Sequence, residues 1–437
     1  MQATGLTLLG LVAIAYALVA SRLERWSVGG PLVMTAAGLV LGPAGLAVLQ
    51  LPASSEPVKL ATEVTLAMLL FADASTIGLR RLTHHAGLPL RLLAVGLPLT
   101  IVLGTVVAHG MLDGSTWAAA ALVATILAPT DAALSLPVVS NPKVPPIVRT
   151  TLNVESGLND GIATPVVTVL IAVVASEESA TAGWLGDAGK AIAVAVAVAA
   201  VVGAGGALLA LRARRDRWTT PLSDELAVLL LALVSYSGAV ALGGNGFVSS
   251  FVAGLVFGAV TRHRVSRAVE YTETTGLFMS YAVWALFGAA LAGPLLEDGW
   301  HASALAYALV SLTVIRMVPV AIALLGARTR VTTTLFIGWF GPRGLASVVF
   351  LILAAHELHI GAQGATGVLA ETVVWTILLS VVLHGLTAAP LSAWFGRRSG
   401  TEHTTERGVA GADGQAAATA PVRRRRLGLS HRDDGRA

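Results

Sequence analysis

The chain has 437 residues, of which 55% are hydrophobic and only 12% charged, with a mean hydropathy of +0.76. Soluble domains carry about 25% charged residues, so a water-soluble enzyme or binding module is excluded and a polytopic membrane protein is indicated. The formal net charge of +4 comes almost wholly from arginine, since only Lys59, Lys143 and Lys190 are lysine, and the absence of cysteine rules out disulfides and thiolate metal sites.

A membrane-spanning helix needs about 20 apolar residues. Thirteen segments qualify: 5–20, 30–49, 58–77, 89–111, 115–137, 147–175, 188–211, 224–242, 246–261, 275–296, 301–326, 332–355 and 369–394. The first has no basic residue ahead of it and Arg22 and Arg25 behind it. A secretory signal shows the reverse order, so this segment is expected to remain as a first membrane helix with its N-terminus outside. Alternation then puts sixteen Lys and Arg residues on the cytoplasmic side, the group from Arg212 to Arg217 among them, and only Lys59 and Lys190 on the external side. Cytoplasmic loops hold the basic excess, and a wrong number of spans would scramble that bias. The prediction is an all-α polytopic membrane protein with thirteen transmembrane helices over 1–396 and a short basic cytoplasmic tail over 397–437. The tail lacks apolar periodicity and is expected to be disordered. Its run Arg423 to Arg426 reads as a retention signal, with contact to anionic lipid as the other reading.

Two spans are interrupted well inside their length. The fifth reads Thr125-Ile126-Leu127-Ala128-Pro129-Thr130-Asp131, and the twelfth Gly338-Trp339-Phe340-Gly341-Pro342-Arg343-Gly344. Proline removes a backbone donor and clashes with the preceding turn, and glycine weakens a helix by about 1 kcal/mol relative to alanine. Unwound backbone at membrane depth is tolerated only where it lines a cavity or is buried in protein. Spans 5 and 12 occupy corresponding positions if spans 1–6 and 8–13 are inverted repeats joined by span 7. Interrupted segments in matching places of two halves point to a transporter's binding site.

The sixth span carries Glu155-Ser156-Gly157-Leu158-Asn159-Asp160. An ionised aspartate at bilayer depth costs about 3 kcal/mol on insertion scales, so such a residue faces protein or a water-filled path. Glu155/Asn159 and Ser156/Asp160 are i,i+4 pairs on one helix face. A rise of about 1.5 Å per residue from Val148 puts Asp160 near the bilayer centre, with Asp131 nearer the cytoplasmic side. Ser156, Thr130 and the unwound carbonyls add the neutral oxygens that replace a monovalent cation's hydration shell. A carboxylate that holds either a proton or a metal ion, never both, couples their movements. Asp160 is the candidate for that exchange and Asp131 a nearby contributor. Glu155 is expected to be paired, with Arg316 of the eleventh span or alternatively with Arg343, because unpaired buried charge is expensive. The Asn159 amide is placed to bond backbone or Thr130 and so hold the two segments together. Asp73, near the inner end of the third span, reads either as an access-path or ligand carboxylate or as an interfacial residue. His384 and His356 read as packing or boundary residues, and Glu63 and Glu371 as external residues without a role.

Taken together these motifs resemble the NhaP-type sodium/proton antiporters, prokaryotic relatives of the NHE exchangers. Gly29-Gly30-Pro31 through Gly38-Leu39-Val40-Leu41-Gly42-Pro43 resembles the family's second-helix signature. Pro129-Thr130-Asp131 is similar to its Thr-Asp break, and Glu155 to Gly161 to its Glu-x-x-x-Asn-Asp motif. Gly246-Phe247-Val248 to Phe251-Val252-Ala253-Gly254, Gly341-Pro342-Arg343-Gly344 and His384-Gly385-Leu386-Thr387 also fit. One departure is Ala132, where proline commonly follows Thr-Asp; here the proline precedes it. The resemblance implies a homodimer, each chain having a dimerisation part and a mobile core part with two crossed broken helices. It implies that Asp131, Ser156, Asp160 and the Thr130 carbonyl region bind Na⁺, and that Asp73 sits where the family often has an acid. Asn159 in place of a second aspartate is the family feature associated with electroneutral one-for-one exchange.

The expected activity is therefore exchange of Na⁺ or Li⁺ for H⁺ in a cell membrane, serving pH homeostasis. Its ligands are the transported cations and protons, with no cofactor and no nucleic-acid partner. A K⁺/H⁺ antiporter is the nearest rival. An intramembrane aspartyl protease needs paired aspartates activating water and a Gly-x-Gly-Asp loop, whereas Asn159 precedes Asp160 here and the span number is too high. A cation channel is disfavoured by the paired breaks and the titratable site.

Overall fold

Every regular element that the computed structural model defines is helical; it describes residues 2–50, 52, 55–77, 87–179, 184–262, 264–297, 301–358 and 365–409. The helices are α1 (Gln2–Leu23), α2 (Gly30–Leu41), α3 (Glu56–Thr76), α4 (Gly87–Met111), α5 (Trp117–Ile126), α6 (Ala132–Val139), α7 (Pro146–Ser179) and α8 (Trp184–Arg215). They continue as α9 (Pro221–Ala241), α10 (Gly246–Thr261), α11 (Ser266–Leu286, extended by a π-helical turn Phe287–Ala292 and Gly293–Glu297) and α12 (Ala302–Ala323). The last are α13 (Val331–Trp339), α14 (Leu345–Glu357) and α15 (Ala365–Val409). Among the described residues, eight helices are long and apolar enough to cross a membrane, and α2, α5, α10 and α14 are shorter apolar helices.

Buried apolar side chains sort the helices into two groups. One cluster, with Leu92, Val138, Leu152, Val320, Phe336 and Phe395, ties together α4, α6, α7, α12, α13 and α15. Another, with Phe71, Ala199, Val228, Phe257 and Val269, ties together α3, α8, α9, α10 and α11. A third cluster runs between the groups. Within the second group the backbones approach closely. Side chains at Gly254 and Gly258 of α10 would overlap the backbone of α3 at Phe71 and Ser75, so small residues one turn apart set that contact.

Arginines gather at one end of the bundle. Arg214 pairs with Asp224 at 2.6 Å and donates to the Arg264 carbonyl at 2.7 Å, while Arg267 pairs with Glu225 at 2.9 Å. The opposite end carries Lys59 beside Glu357, and His301 against Glu371.

Three boundaries differ from the sequence expectation. The second apolar segment was expected to run to residue 49, but α2 stops at Leu41. Gly42 and Pro43 end it, and the chain folds back with Leu46 N donating to Val40 O and Leu49 buried against Leu41 and Ala289. The tenth was expected from residue 275, yet α11 starts at Ser266. Its first turns are amphipathic, so a hydropathy window undercounts them while the helix continues through Arg267, Glu270 and Glu273. The last helix continues past Trp394 to Val409, into the segment read as tail, and Arg423 to Arg426 lie outside the described residues.

Candidate functional site

The two interruptions are real breaks, and they meet. Between Ile126 and Ala132, and between Trp339 and Leu345, the backbone leaves the helix, and Asp131 N donates to Pro342 O at 2.8 Å. Each break strands helix-end groups that need partners. Asp131 supplies those for the two N-termini. Its Oδ1 accepts from Ala133 N at 2.6 Å and Leu134 N at 3.0 Å, and its Oδ2 accepts from Leu345 N at 2.8 Å. One carboxylate thus caps both α6 and α14, where the helix dipole favours negative charge. Gly344 makes this possible, because a Cβ there would overlap the Asp131 carboxylate.

The carbonyl end of α5 is served by the opposite charge. Arg343 Nη1 donates to Ala128 O at 3.0 Å and lies 3.5 Å from Pro129 O, and Ser347 Oγ donates to Ile126 O at 2.7 Å. Helix α15 holds the second break. Arg343 N donates to Ser380 Oγ at 2.6 Å, His384 Nδ1 lies 3.3 Å from that hydroxyl, and His384 Nε2 lies 2.8 Å from Trp339 O. His384 Nδ1 also lies 2.9 Å from Ser380 O, so each ring nitrogen faces a backbone carbonyl, which can only accept. His384, read from sequence as a packing residue, therefore fixes the unwound backbone, which its place one helix turn after Ser380 does not reveal.

Helix α7 brings its polar face against the first break. Arg316 grips Glu155 with both nitrogens, Nη1–Oε1 at 2.6 Å and Nη2–Oε2 at 3.0 Å, and both side chains are buried. Of the two partners left open, Arg316 takes the acid. A π-helical turn, Ser311–Ile315, immediately precedes it in α12, and Gly341 leaves room for its guanidinium, which a Cβ would overlap. Asn159 Nδ2 donates to Thr130 Oγ1 at 2.7 Å, and Thr130 Oγ1 lies 3.0 Å from Ser156 Oγ. So Thr130, Ser156 and Asn159 join the break to α7.

Asp160 stands one position further on and differs from Asp131. Its Oδ1 is buried and accepts no hydrogen bond from the protein, while the residue as a whole is partly exposed. The carboxylates of Asp131 and Asp73 are close enough to repel its charge. Asp73 itself packs from α3 against α7, where a methyl group at Gly157 would stand 3.9 Å from its Cβ, and it feels Glu273 of α11 as well as Asp131. Beside it a cavity of about 260 Å³ opens at the arginine-rich end, lined by Ser75, Thr76, Thr261, Val265, Ser266, Val269, Glu270 and Glu273. Glu273 escaped the sequence reading because it fell ahead of the expected start of its span. The i,i+3 pair Glu270/Glu273 directly before an apolar run was the available signal. Among the described residues, no three His, Cys, Asp or Glu side chains form a metal-holding group. The polar site thus sets Asp160, with Asp73 on its approach, against hydroxyls and capped helix ends.

Comparison with known proteins gives a consistent result. A family profile described as sodium/hydrogen exchanger, transmembrane, matches residues 9–394. The structure of the sodium proton antiporter MjNhaP1 from Methanocaldococcus jannaschii at pH 8 superimposes with a TM-score of 0.69 at 22% identity, over 87% of this chain and 98% of that one. A structure of the same antiporter from an electron-microscopy map gives 0.66 at 21% identity, over 90% and 98%. At such identities the likeness establishes a shared fold.

Proposed function

Because the chain belongs to the sodium/hydrogen exchanger family, whose members are transporters and not enzymes, we propose that its cation/proton antiport is an exchange of one Na⁺ or Li⁺ for one H⁺. The two ions compete for Asp160 as the site alternates between the two sides of a cell membrane. The observation that carries this is the contrast in hydrogen bonding. Asp160 has an oxygen free of any protein donor, whereas the Asp131 oxygens are engaged by three backbone N–H groups. In this reading Asp160, Ser156 Oγ and Thr130 hold the cation. Asp131 contributes its field at short range more than a primary ligand, and Asp73 lies on the approach.

Charge balance supports a one-for-one stoichiometry. Asp131 and Glu155 offset Arg316 and Arg343 at the crossing itself, so Asp160 sets the net charge there, with Asp73 a further acid on the approach. With a proton or one monovalent cation aboard the group is neutral; with neither it carries an uncompensated charge, which is costly to bury. Loaded forms are thus favoured to cross and the empty form is held back. Counting each broken pair, α5/α6 and α13/α14, as one crossing and every other described helix as another is compatible with thirteen spans. In this reading the chain has inverted repeats around span seven with crossed broken helices, and the arginine-rich end, with the C-terminus, faces the cytoplasm. A homodimer follows from the family's architecture, with the α3/α8–α11 group as its dimerisation part.

Dye-quench measurements in proteoliposomes under Na⁺, Li⁺ and K⁺ gradients test the reading. Proton movement driven by Na⁺ and Li⁺ is expected. A response to K⁺ with none to Na⁺ would make the protein a K⁺/H⁺ antiporter.

A further inference from the structure

At the end remote from the arginines, α3 and α14 are tied side by side. Lys59 Nζ donates to Glu357 Oε1 at 2.8 Å and lies 3.2 Å from His356 Nδ1, and His356 Nε2 lies 3.0 Å from Glu56 Oε1. Lysine only donates, so His356 Nδ1 accepts and its Nε2–H donates to Glu56; a neutral imidazole completes the chain. Among the described residues Lys59–Glu357 is the only ion pair that joins α3 to another helix, and the His356–Glu56 hydrogen bond lies beside it. The sequence offered Lys59 only as an external charge and His356 only as a helix-end residue.

Both helices connect this cluster to the ion site. Helix α3 carries Asp73 fourteen residues beyond Lys59, about 21 Å away at 1.5 Å per residue, and its last residues line the open cavity. Helix α14 starts at the crossing, where Leu345 N is held by Asp131, and ends at Glu357. Between the site and the cluster, Leu66 and Leu70 of α3 and Val348, Val349 and Ile352 of α14 belong to one buried apolar cluster. At the outer end the seam between the two helices is closed, first by this apolar layer and then by the polar cluster, while at the other end α3 borders the cavity together with α10 and α11. Helix α14 moves with the half-helix crossing, and α3 belongs to the other packed group, so exposing Asp160 to the far side requires the two to part there.

We propose that Glu56, Lys59, His356 and Glu357 form a latch that holds the outer end shut while the site is open to the arginine-rich side, and that its rupture is a step of the transport cycle. This rests on the alternating-access reading above. The cluster is partly solvent-exposed, with Glu357 at 48%, and exposed ion pairs are individually weak. Weakness suits a contact that has to open at every turnover, since it biases the two states without trapping either.

The chain has no cysteine, so Lys59→Cys with Glu357→Cys can be bridged by a short, reducible, thiol-specific cross-linker without other changes. Bridged protein in proteoliposomes is expected to lose at least nine-tenths of its Na⁺-driven proton movement and to recover it on reduction. Full-rate exchange in the bridged state overturns the latch, as does failure of the two cysteines to bridge. The unbridged protein reports separately on the parent reading, because absence of Na⁺/H⁺ exchange before bridging removes the antiport assignment and leaves the latch without a cycle. Should the cysteine pair not assemble, Lys59→Glu is expected to raise hydrogen–deuterium exchange in Leu345–Glu357 at least threefold, and the swap Lys59→Glu with Glu357→Lys to restore protection. Equal exchange in the single and swapped variants overturns the proposal.

Discussion

Two acids, Asp131 and Asp160, border the same polar site and lead opposite lives. Asp131 sits at the point where two half-helices begin, and three backbone N–H groups converge on its carboxylate. Asp160 sits within the unbroken helix α7, whose backbone donors are consumed in its own ladder, and its buried oxygen finds no donor. A helix interior cannot solvate its own side chain, whereas a helix start can. The same residue type is therefore engaged by backbone donors in one place and left with a free oxygen in the other. Arg343 and Arg316 repeat the division, one turned to stranded carbonyls and the other to Glu155.

If the contrast is right, Asp160→Asn has the largest effect of any change at the site. Exchange should fall to the level of empty liposomes for Na⁺ and Li⁺ alike, while the melting temperature and elution volume stay those of the parent, since no protein hydrogen bond to that oxygen is lost. Retained transport would remove Asp160 from its role. Glu155→Ala should do the reverse. Stripping one partner from a buried ion pair costs about 3–5 kcal/mol, so thermal unfolding in detergent should shift strongly downward. Glu155→Leu combined with Arg316→Met should recover most of that loss. An unchanged melting temperature in Glu155→Ala would show the pair to be dispensable.

Much of this was legible in the sequence, for reasons that the misses clarify. Pro129, Pro342 and the flanking glycines announce the breaks because no other residues unwind a helix so directly. Glu155, Asn159 and Asp160 stand out because polar groups are rare in apolar runs, and of the two partners open to the Asn159 amide, backbone or Thr130, the structure has Thr130. Three things were not legible. Which arginine meets Glu155 depends on the packing of α12 and on a π-helical turn, and apolar spacing carries neither. The work of Asp131 as a double cap depends on Leu345 of another half-helix, 214 residues away. Glu273 and His356 lie where spans end, and a hydropathy window blurs those ends.

The structural acid offers a subtler test. Asp131→Asn keeps one acceptor oxygen but loses the charge that two helix starts share. Hydrogen bonds to charged groups contribute about 1.5–3 kcal/mol each, and asparagine retains part of that, so a moderate fall in melting temperature is expected. Transport should be slowed but not abolished, because the cargo oxygen is elsewhere. Loss of exchange with full stability would instead make Asp131 a principal ligand and erase the distinction drawn between the two acids.

The smallest effect concerns pH, and its sign follows from competition at one carboxylate. Where the cavity side is acidic enough for a proton to occupy Asp160 in most molecules, each further unit of acidification removes tenfold of the ionised form available to Na⁺. That is a free-energy change of about 1.4 kcal/mol per unit. The apparent KM for Na⁺ should accordingly rise toward tenfold per unit on the acid side, with maximal rate unchanged there at saturating Na⁺. On the alkaline side KM should level off and the rate fall, because the return step needs a protonated Asp160. Initial rates at matched internal and external pH measure both quantities. Asp131 cannot produce this pattern: protonating a cap would loosen the crossing and lower the maximal rate, leaving KM largely alone. A rate that falls with acid at constant KM would therefore transfer the proton from the free acid to the capped one.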